Sequence, residues 1–243
     1  MRLTPCISLT SHPLHSLATR TLNPMTSTRH VLHRFHGHIA GAGTAGGTRL
    51  VLGCWSDTPH GPFADVMVAH PDGRRELLAP DEWVADFVAS TYTFDDVRIV
   101  PVDVQRTGTT SNSTWTVKAG PLTWDFTVGP RDPLGYVLRA VPTPLGRTLM
   151  FTRASDVVAS RIMPGVRTVG TAGNDRLEWY SAKDLHGLSA SQATWDGESL
   201  GTMTDMNPPP DFGFSSTPRQ PSLTALTSTV RTGFSPGSKP RIL

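Results

Sequence analysis

Extended runs in which apolar and polar residues alternate recur along most of the chain, and residues 63–80 show the pattern most clearly. This stretch holds two such runs separated by a Pro-Asp-Gly turn at 71–73, which predicts a β-hairpin. On the first strand Phe63, Asp65 and Met67 would share one face. We therefore expect a mostly β protein, with an α+β fold as the alternative.

The other runs predict about ten strands and two or three helices in total. The strand-like segments outside the hairpin are 31–40, 48–55, 96–105, 114–118, 122–128 and five further runs after residue 165. Apolar residues follow helical spacing in 81–92, and less regularly in 132–163, where prolines interrupt it. Since many antiparallel strands would leave exposed edges, we expect an antiparallel barrel or a curved β-sandwich with covering helices.

A chain of 243 residues can bury one sizeable core. We expect a single β-rich domain over 29–232, preceded by a disordered extension at 1–28 and followed by a tail at 233–243. No Asp or Glu precedes Asp57, which is also the composition of an organellar transit peptide. The favoured interpretation is an ordinary extension, with Met25 as an alternative start.

Charge and hydropathy exclude several classes of protein. The net charge is only +2 and the basic residues form no run, which argues against nucleic-acid binding. No apolar stretch approaches the ~20 residues of a membrane-spanning helix. Of the two cysteines, Cys6 lies in the predicted extension, so a structural disulfide is not expected and a cytoplasmic location fits better. Composition leaves the oligomeric state open.

Two sequence patterns resemble cofactor-binding motifs, but the residues around them do not have the structure that those motifs require. Residues 41–46 satisfy G-x-G-x-x-G, but a strand-like run follows them where a dinucleotide site needs a helix. Tyr180 and Lys183 resemble the Tyr-x-x-x-Lys pair of short-chain dehydrogenases with one residue too few, and on a strand they would point to opposite faces. The sequence therefore predicts no cofactor.

A histidine cluster is the candidate metal site. His36 and His38 would share one strand face, and His60, His70 or Asp65 could supply a third ligand for Zn²⁺ or Fe²⁺. The favoured alternative is that these histidines are ordinary residues of a solvated strand face.

The segment 176–186 holds the densest set of polar candidates. Asp184 and His186 follow a predicted strand and could hydrogen-bond in a bend, an arrangement that general-base catalysis uses and that ordinary turns also show. Glu178 and Tyr180 would share one strand face, which is either the polar end of a cavity or a solvated surface. Trp179 is expected either in the core or lining a cavity.

The expected function is the binding of a small, largely apolar molecule in the barrel interior. The candidate pocket residues are Asp65, Glu178, Tyr180 and Trp179. Asp65 is included because it lies on an otherwise apolar strand face, and if that face is buried its carboxyl must be hydrogen-bonded or have a raised pKa. The alternatives are an enzyme using the Asp184/His186 pair, a metal site at His36 and His38, and an interaction protein using segments 132–163 and 207–221.

Overall fold

The structure is a computed structural model that describes residues 29–109, 111–162, 166–172, 176–213, 215 and 217–234. The predicted extension at 1–28 lies outside the described residues, as does the predicted tail apart from residues 233 and 234, which belong to the last strand. The domain boundaries therefore stay predictions.

The described chain is mostly β, as predicted, with 52% strand and 16% helix. The strands are β1 (Arg29–Thr44), β2 (Arg49–Asp57), β3 (Phe63–Ala69), β4 (Arg75–Ala79), β5 (Asp96–Ile99), β6 (Val102–Thr107), β7 (Thr114–Ala119), β8 (Leu122–Arg131), β9 (Val169–Ala172), β10 (Arg176–Trp195), β11 (Glu198–Ser199), β12 (Met203–Thr204) and β13 (Ser222–Phe234). The helices are α1 (Glu82–Ala89), α2 (Pro133–Ala140), α3 (Thr143–Gly146) and α4 (Leu149–Ile162).

The local patterns explain most of these elements. Strands β3 and β4 form the predicted hairpin, and Gly73 of its turn has a φ of +90°, which glycine adopts without strain. Helix α1 begins after Asp81, whose carboxylate accepts a hydrogen bond from the backbone N–H of Val84 at 2.8 Å. The region 132–163 forms three helices, because its prolines start α2 and α3 and do not merely interrupt a pattern.

All the strands belong to one sheet with the main order β5-β4-β3-β2-β1-β13-β10-β8-β7-β6. Only the pairing of β4 with β5 is parallel among those described. The edge strands β5 and β6 follow each other in the chain, yet no pairing joins them in the described residues, so the sheet is open and the predicted barrel is not confirmed. Pro101, which has no N–H to donate, stands between the two edges.

The sheet curves so far that its two flanks pack against each other, and we call the face between them the inner face. One core cluster joins Leu52 and Val66 of the first flank to Val117, Trp124 and Phe126 of the second. All five side chains are at most 1% exposed. The space in which a barrel binder would hold its ligand is therefore packed with side chains, so the expectation of binding in a barrel interior gains no support.

The opposite side of the sheet, which we call the outer face, is covered by helices and by the segment 206–212. Leu77 of β4 packs against Val84 and Val88 of α1, and Val51 of β2 packs against Met206 and Phe212. Each face thus has its own apolar contacts. None of the helices within the described ranges is both long enough and apolar enough to cross a membrane.

A β-bulge divides the long strand β10. The pairing of β10 with β13 shifts register between Ala182 and Asp184, so Lys183 is an extra residue on one strand. Tyr180 pairs with Ser228, whereas His186 pairs with Leu223, which belongs to the inner-face core. Side chains alternate between the two faces along β13, so Ser228 and Leu223 point to opposite faces, and so do their partners on β10. Tyr180, before the bulge, therefore lies on the outer face, and His186, after it, lies on the inner face. The predicted bend at this point is instead one continuous strand.

Candidate functional site

A cavity with a volume of about 490 Å³ lies between the outer face and helices α2 and α4. Its floor is formed by outer-face residues, among them Ile39, Met67 and Leu226, and its roof includes Leu138 of α2 and Phe151 of α4. We call this space the large cavity. Its lining is predominantly apolar, so it suits an apolar guest.

Helix α2 is held over the large cavity by contacts at its N-terminal end. Asp132 caps the helix by accepting a hydrogen bond from the N–H of Leu134 at 2.8 Å. Arg131 donates two hydrogen bonds to Asp184 of β10, at 2.7 and 3.0 Å. Gly135 permits a close approach, since a Cβ there would lie 2.6 Å from the carbonyl oxygen of Leu185. The roof is therefore anchored to the strand that bears the bulge.

Two polar groups of the large cavity stand out against its apolar lining. The Oγ1 of Thr217 and the Oγ of Ser181 are buried, and neither has a hydrogen-bond partner within the part of the chain that the structure describes. A hydroxyl on a guest or a water would satisfy either group.

A second, smaller cavity of about 50 Å³ adjoins the first, and we call it the side chamber. Both cavities are lined by Ile39, Val51, Met67 and Tyr92, so they meet along the outer face. The other lining residues of the side chamber include the aromatic residues Phe35, Trp55, Phe63 and Phe87 and the polar residues Asp65, Glu178 and Ser228. The side chamber therefore combines aromatic rings with two carboxyl groups.

Asp65 is only 2% exposed and lies on the outer face of β3. Trp55 Nε1 donates a hydrogen bond to its Oδ1 at 3.2 Å. Its Oδ2 has no partner among the described residues. Burial raises the pKa of Asp65 to about 7, against the smaller lowering effect of the Trp55 hydrogen bond.

Glu178 is the second carboxyl, and it is better satisfied. The hydroxyl of Ser228 donates to Oε1 at 2.6 Å, and the hydroxyl of Tyr92 donates to Oε2 at 3.1 Å. The hydroxyls of Tyr92 and Tyr180 are also hydrogen-bonded to each other. Burial raises the pKa of Glu178 to about 7, although the hydrogen bonds from Ser228 and the two tyrosines lower it.

Arg176 provides the positive charge at this end of the site. Its guanidinium donates to the hydroxyls of Ser90 and Thr91 and lies 5.3 Å from the ring centroid of Phe87. Burial lowers the pKa of Arg176, and the charge of Glu178 partly restores it. The Arg176 guanidinium thus stands near the carboxyl group of Glu178.

The predicted pair Asp184 and His186 is not part of this site. The bulge places both on the inner side of β10, on the face opposite to Glu178 and Tyr180. His186 Nε2 lies 3.5 Å from Asp184 Oδ2, while its Nδ1–H donates to the carbonyl of Gly129 at 3.1 Å. Burial would raise the pKa of Asp184, but the hydrogen bonds from Arg131 hold it below the usual range. The predicted convergence of this pair with Glu178, Tyr180 or Asp65 is therefore not found.

The histidines do not converge on a metal centre either. His36 Nδ1 lies 2.8 Å from Thr227 Oγ1, and the ring of His38 packs edge-on against Trp115. His60 stacks on Trp83 and His70 contacts Glu76. Within the described ranges, no group of three His, Cys, Asp or Glu residues could hold a metal ion. The hypothesis of a site at His36 and His38 therefore gains no support.

Of the four predicted pocket residues, three line the two cavities. Asp65 and Glu178 line the side chamber and Tyr180 lines the large cavity, whereas Trp179 is buried elsewhere and donates to the carbonyl of Arg147 at 3.3 Å. Sequence reasoning missed Tyr92, since it follows α1 and reads there as a residue of the helical pattern. It also missed Ser228, which looks like any hydroxyl of a Ser/Thr-rich strand.

Comparison of the chain with protein-family models, with curated proteins and with solved structures gave no match.

Proposed function

We propose that the protein binds a small, largely apolar molecule in the large cavity. The observation that supports this best is the apolar cavity of about 490 Å³ beneath α2 and α4. Ligand sites of proteins are typically concave, mostly apolar and roughly 300–1,000 Å³ in volume, with a few polar groups that orient the guest. Thr217, Tyr92 and Tyr180 would be such groups here.

The proposed location differs from the one that the sequence suggested. The inner face is closed by Trp124, Phe126 and their neighbours, so the binding site moves to the outer face. Empty apolar volume forfeits dispersion contacts, and a guest would restore them. The proposal keeps the predicted class of ligand and three of the predicted pocket residues.

The test is a titration of the purified, untagged chain with a neutral solvatochromic dye, together with native mass spectrometry. Ala182 lies in the cavity lining and Ala190 is exposed on the same strand, so Ala182→Phe fills the cavity and Ala190→Phe is the matched control. We expect blue-shifted dye emission with the natural chain and with Ala190→Phe, and a loss of about tenfold or more in affinity with Ala182→Phe. Equal binding by all three proteins would refute the proposed site.

A second candidate function is an interaction surface on the helices, because they carry exposed apolar residues. Tyr136 and Val137 of α2 are each 61% exposed, and Met150 of α4 is 79% exposed. Residues 131–167 contain six arginines and two acids, Asp132 and Asp156, which gives a net charge of 6 − 2 = +4. Exposed apolar side chains beside arginines suit an anionic lipid surface.

Sedimentation with vesicles tests this second function. We expect the chain to co-sediment with vesicles that contain an anionic phospholipid, and less with vesicles of a zwitterionic one. Met150→Glu should reduce the bound fraction several-fold, since it places a negative charge on the apolar patch. Equal sedimentation with both vesicle types would remove this candidate. As part of the main proposal we retain a cytoplasmic location, which the low cysteine content of two in 243 residues supports and cell fractionation would test.

A further inference from the structure

We infer that the side chamber binds an ammonium group, so that the ligand of the large cavity is an apolar amine. This inference rests on the proposed function and adds the chemical class of the ligand's polar end. The apolar body would lie beneath α2 and α4, and the cationic end would lie between the aromatic rings and carboxyl groups of the side chamber.

The composition of the chamber lining is the first support. The rings of Phe35, Trp55, Phe63 and Phe87 surround the same small volume as Asp65 and Glu178. Aromatic faces attract cations, and carboxylates accept the hydrogen bonds that an ammonium group donates. Such cages of rings and acids are a chemistry that recognises amines.

The second support is the unsatisfied oxygen of Asp65. Its Oδ2 is buried and has no hydrogen-bond partner in the described part of the chain, although Oδ1 accepts from Trp55. When Asp65 is ionised, this oxygen is a buried acceptor without a donor, which is costly, so the carboxylate calls for a donor from a guest. An ammonium group brings three N–H donors and no acceptor, and it therefore matches the position without adding an unsatisfied atom.

The charges near the chamber favour a single positive charge on the guest. With both carboxyls ionised, Asp65 and Glu178 carry two negative charges, and the guanidinium of Arg176 beside Glu178 offsets one of them. Among the described residues, further titratable groups around them are the hydroxyls of Tyr92 and Tyr180, the thiol of Cys54 on the neighbouring strand and the imidazole of His33 beside Phe87. A carboxylate guest would instead meet two acids.

The two cavities share part of their lining, which places them close enough for one molecule to reach from one into the other. Val51, Met67 and Tyr92 line the large cavity and also the side chamber, so a chain-like apolar body can lead directly to the carboxyls. The hydroxyls of Tyr92 and Tyr180 stand at this junction and tie it to Glu178. The geometry suits a guest with its charge at one end.

The experiment compares decylamine, decan-1-ol and decanoate as competitors of the neutral dye, using the full chain. We expect decylamine to bind about tenfold more tightly than decan-1-ol and decanoate to bind most weakly. Asp65→Asn should lower the affinity for decylamine about tenfold and leave that for decan-1-ol within about twofold. Glu178→Gln is the second variant, and circular dichroism establishes that each variant is folded.

The pH dependence provides a readout that a general loss of packing would not reproduce. Because the pKa of each carboxyl lies at about 7, both gain charge as the pH rises through neutrality. The affinity for decylamine should therefore increase several-fold between pH 5.5 and 8, while that for decan-1-ol should stay nearly constant. Asp65→Asn should flatten the decylamine profile.

The outcomes separate this inference from the proposed function. If the alcohol and the acid bind as tightly as the amine, and Ala182→Phe still abolishes binding, the cavity is a binding site but the ammonium inference is wrong. If the dye binds and none of the three competitors displaces it, the ammonium inference is likewise overturned. If neither dye nor competitor binds, both proposals fail.

Discussion

At the scale of single residues, the buried carboxyl of Asp65 makes a testable contribution to stability. Its pKa is raised to about 7 in the folded protein, from 3.8 for an unperturbed aspartate. Between these values the folded chain holds a proton that the unfolded chain has released, so stability falls as the pH rises. From pH 5 to pH 8 this residue should lower the free energy of unfolding by about 2–3 kcal/mol.

Asp65→Asn should remove the contribution of this carboxyl to the pH dependence of the free energy of unfolding. We expect urea unfolding of the variant to show a decline between pH 5 and pH 8 that is smaller by about 2–3 kcal/mol than in the natural chain. The matched control is Asp103→Asn, which changes an exposed aspartate on β6. If Asp65→Asn and Asp103→Asn behave alike, the carboxyl of Asp65 does not carry a proton at neutral pH in the folded state.

The sequence indicates some of these residues and hides others for physical reasons. Alternation along a strand predicts that Asp65 shares a face with Phe63 and Met67, and that Glu178 shares a face with Tyr180. Both arrangements are found in the structure. Which face is covered depends on the sheet's curvature, which no local pattern encodes. Tyr92 and Ser228 come close to Glu178 only through tertiary packing, so nothing in their own neighbourhoods marks them.

At the scale of elements, the seating of α2 on β10 depends on the absence of a side chain at residue 135. Gly135→Ala would bring a methyl group to 2.6 Å from the carbonyl oxygen of Leu185, a backbone atom that cannot easily move. We expect a loss of about 1–3 kcal/mol in the free energy of unfolding and a weaker affinity for the dye, because the helix that roofs the large cavity is displaced.

Gly187→Ala is the matched control, since an added Cβ at Gly187 has nothing within 4 Å. Thermal unfolding and dye titration of the two variants would be measured side by side. A Gly135→Ala protein as stable as Gly187→Ala, with unchanged dye affinity, would show that α2 does not sit against β10 in solution.

The bulge in β10 shows where prediction of elements from periodicity ends. The alternating pattern predicts strands on both sides of Lys183, and both exist. One inserted residue, however, moves Asp184 and His186 to the other face, since side-chain direction alternates with each residue. The bulge therefore separates Asp184 and His186 from Glu178 and Tyr180, and nothing in the sequence marks the bulge.

At the scale of the whole molecule, composition and periodicity predict a mostly β chain with few helices, and the described structure confirms it. They do not predict whether the sheet closes, because closure depends on whether β5 and β6 pair, and these strands are nearly adjacent in sequence. The same information could not tell which face holds the cavity. Large aromatic residues such as Trp124 fill the inner face and leave the outer face to the helices.

This division between a packed inner face and an outer face with a cavity can be tested with the same substitution made on each side. Leu52 is 0% exposed in the inner core, whereas Leu226 is 6% exposed and lines the large cavity. Leu52→Ala should lower the free energy of unfolding by about 3–4 kcal/mol, because it opens a void in close packing. Leu226→Ala should lower it by only about 1–2 kcal/mol, since its side chain already borders empty volume.

Dye affinity should show the reverse order. Leu52 lies on the face opposite to the large cavity and does not line it, so Leu52→Ala should leave the affinity for the dye within about twofold. Leu226 lines the cavity, so Leu226→Ala should change that affinity several-fold. Denaturant unfolding and dye titration on the same preparations provide both quantities. Equal losses of stability would mean that side chains close the large cavity in solution, and the apolar volume beneath α2 and α4 could then no longer support a binding function.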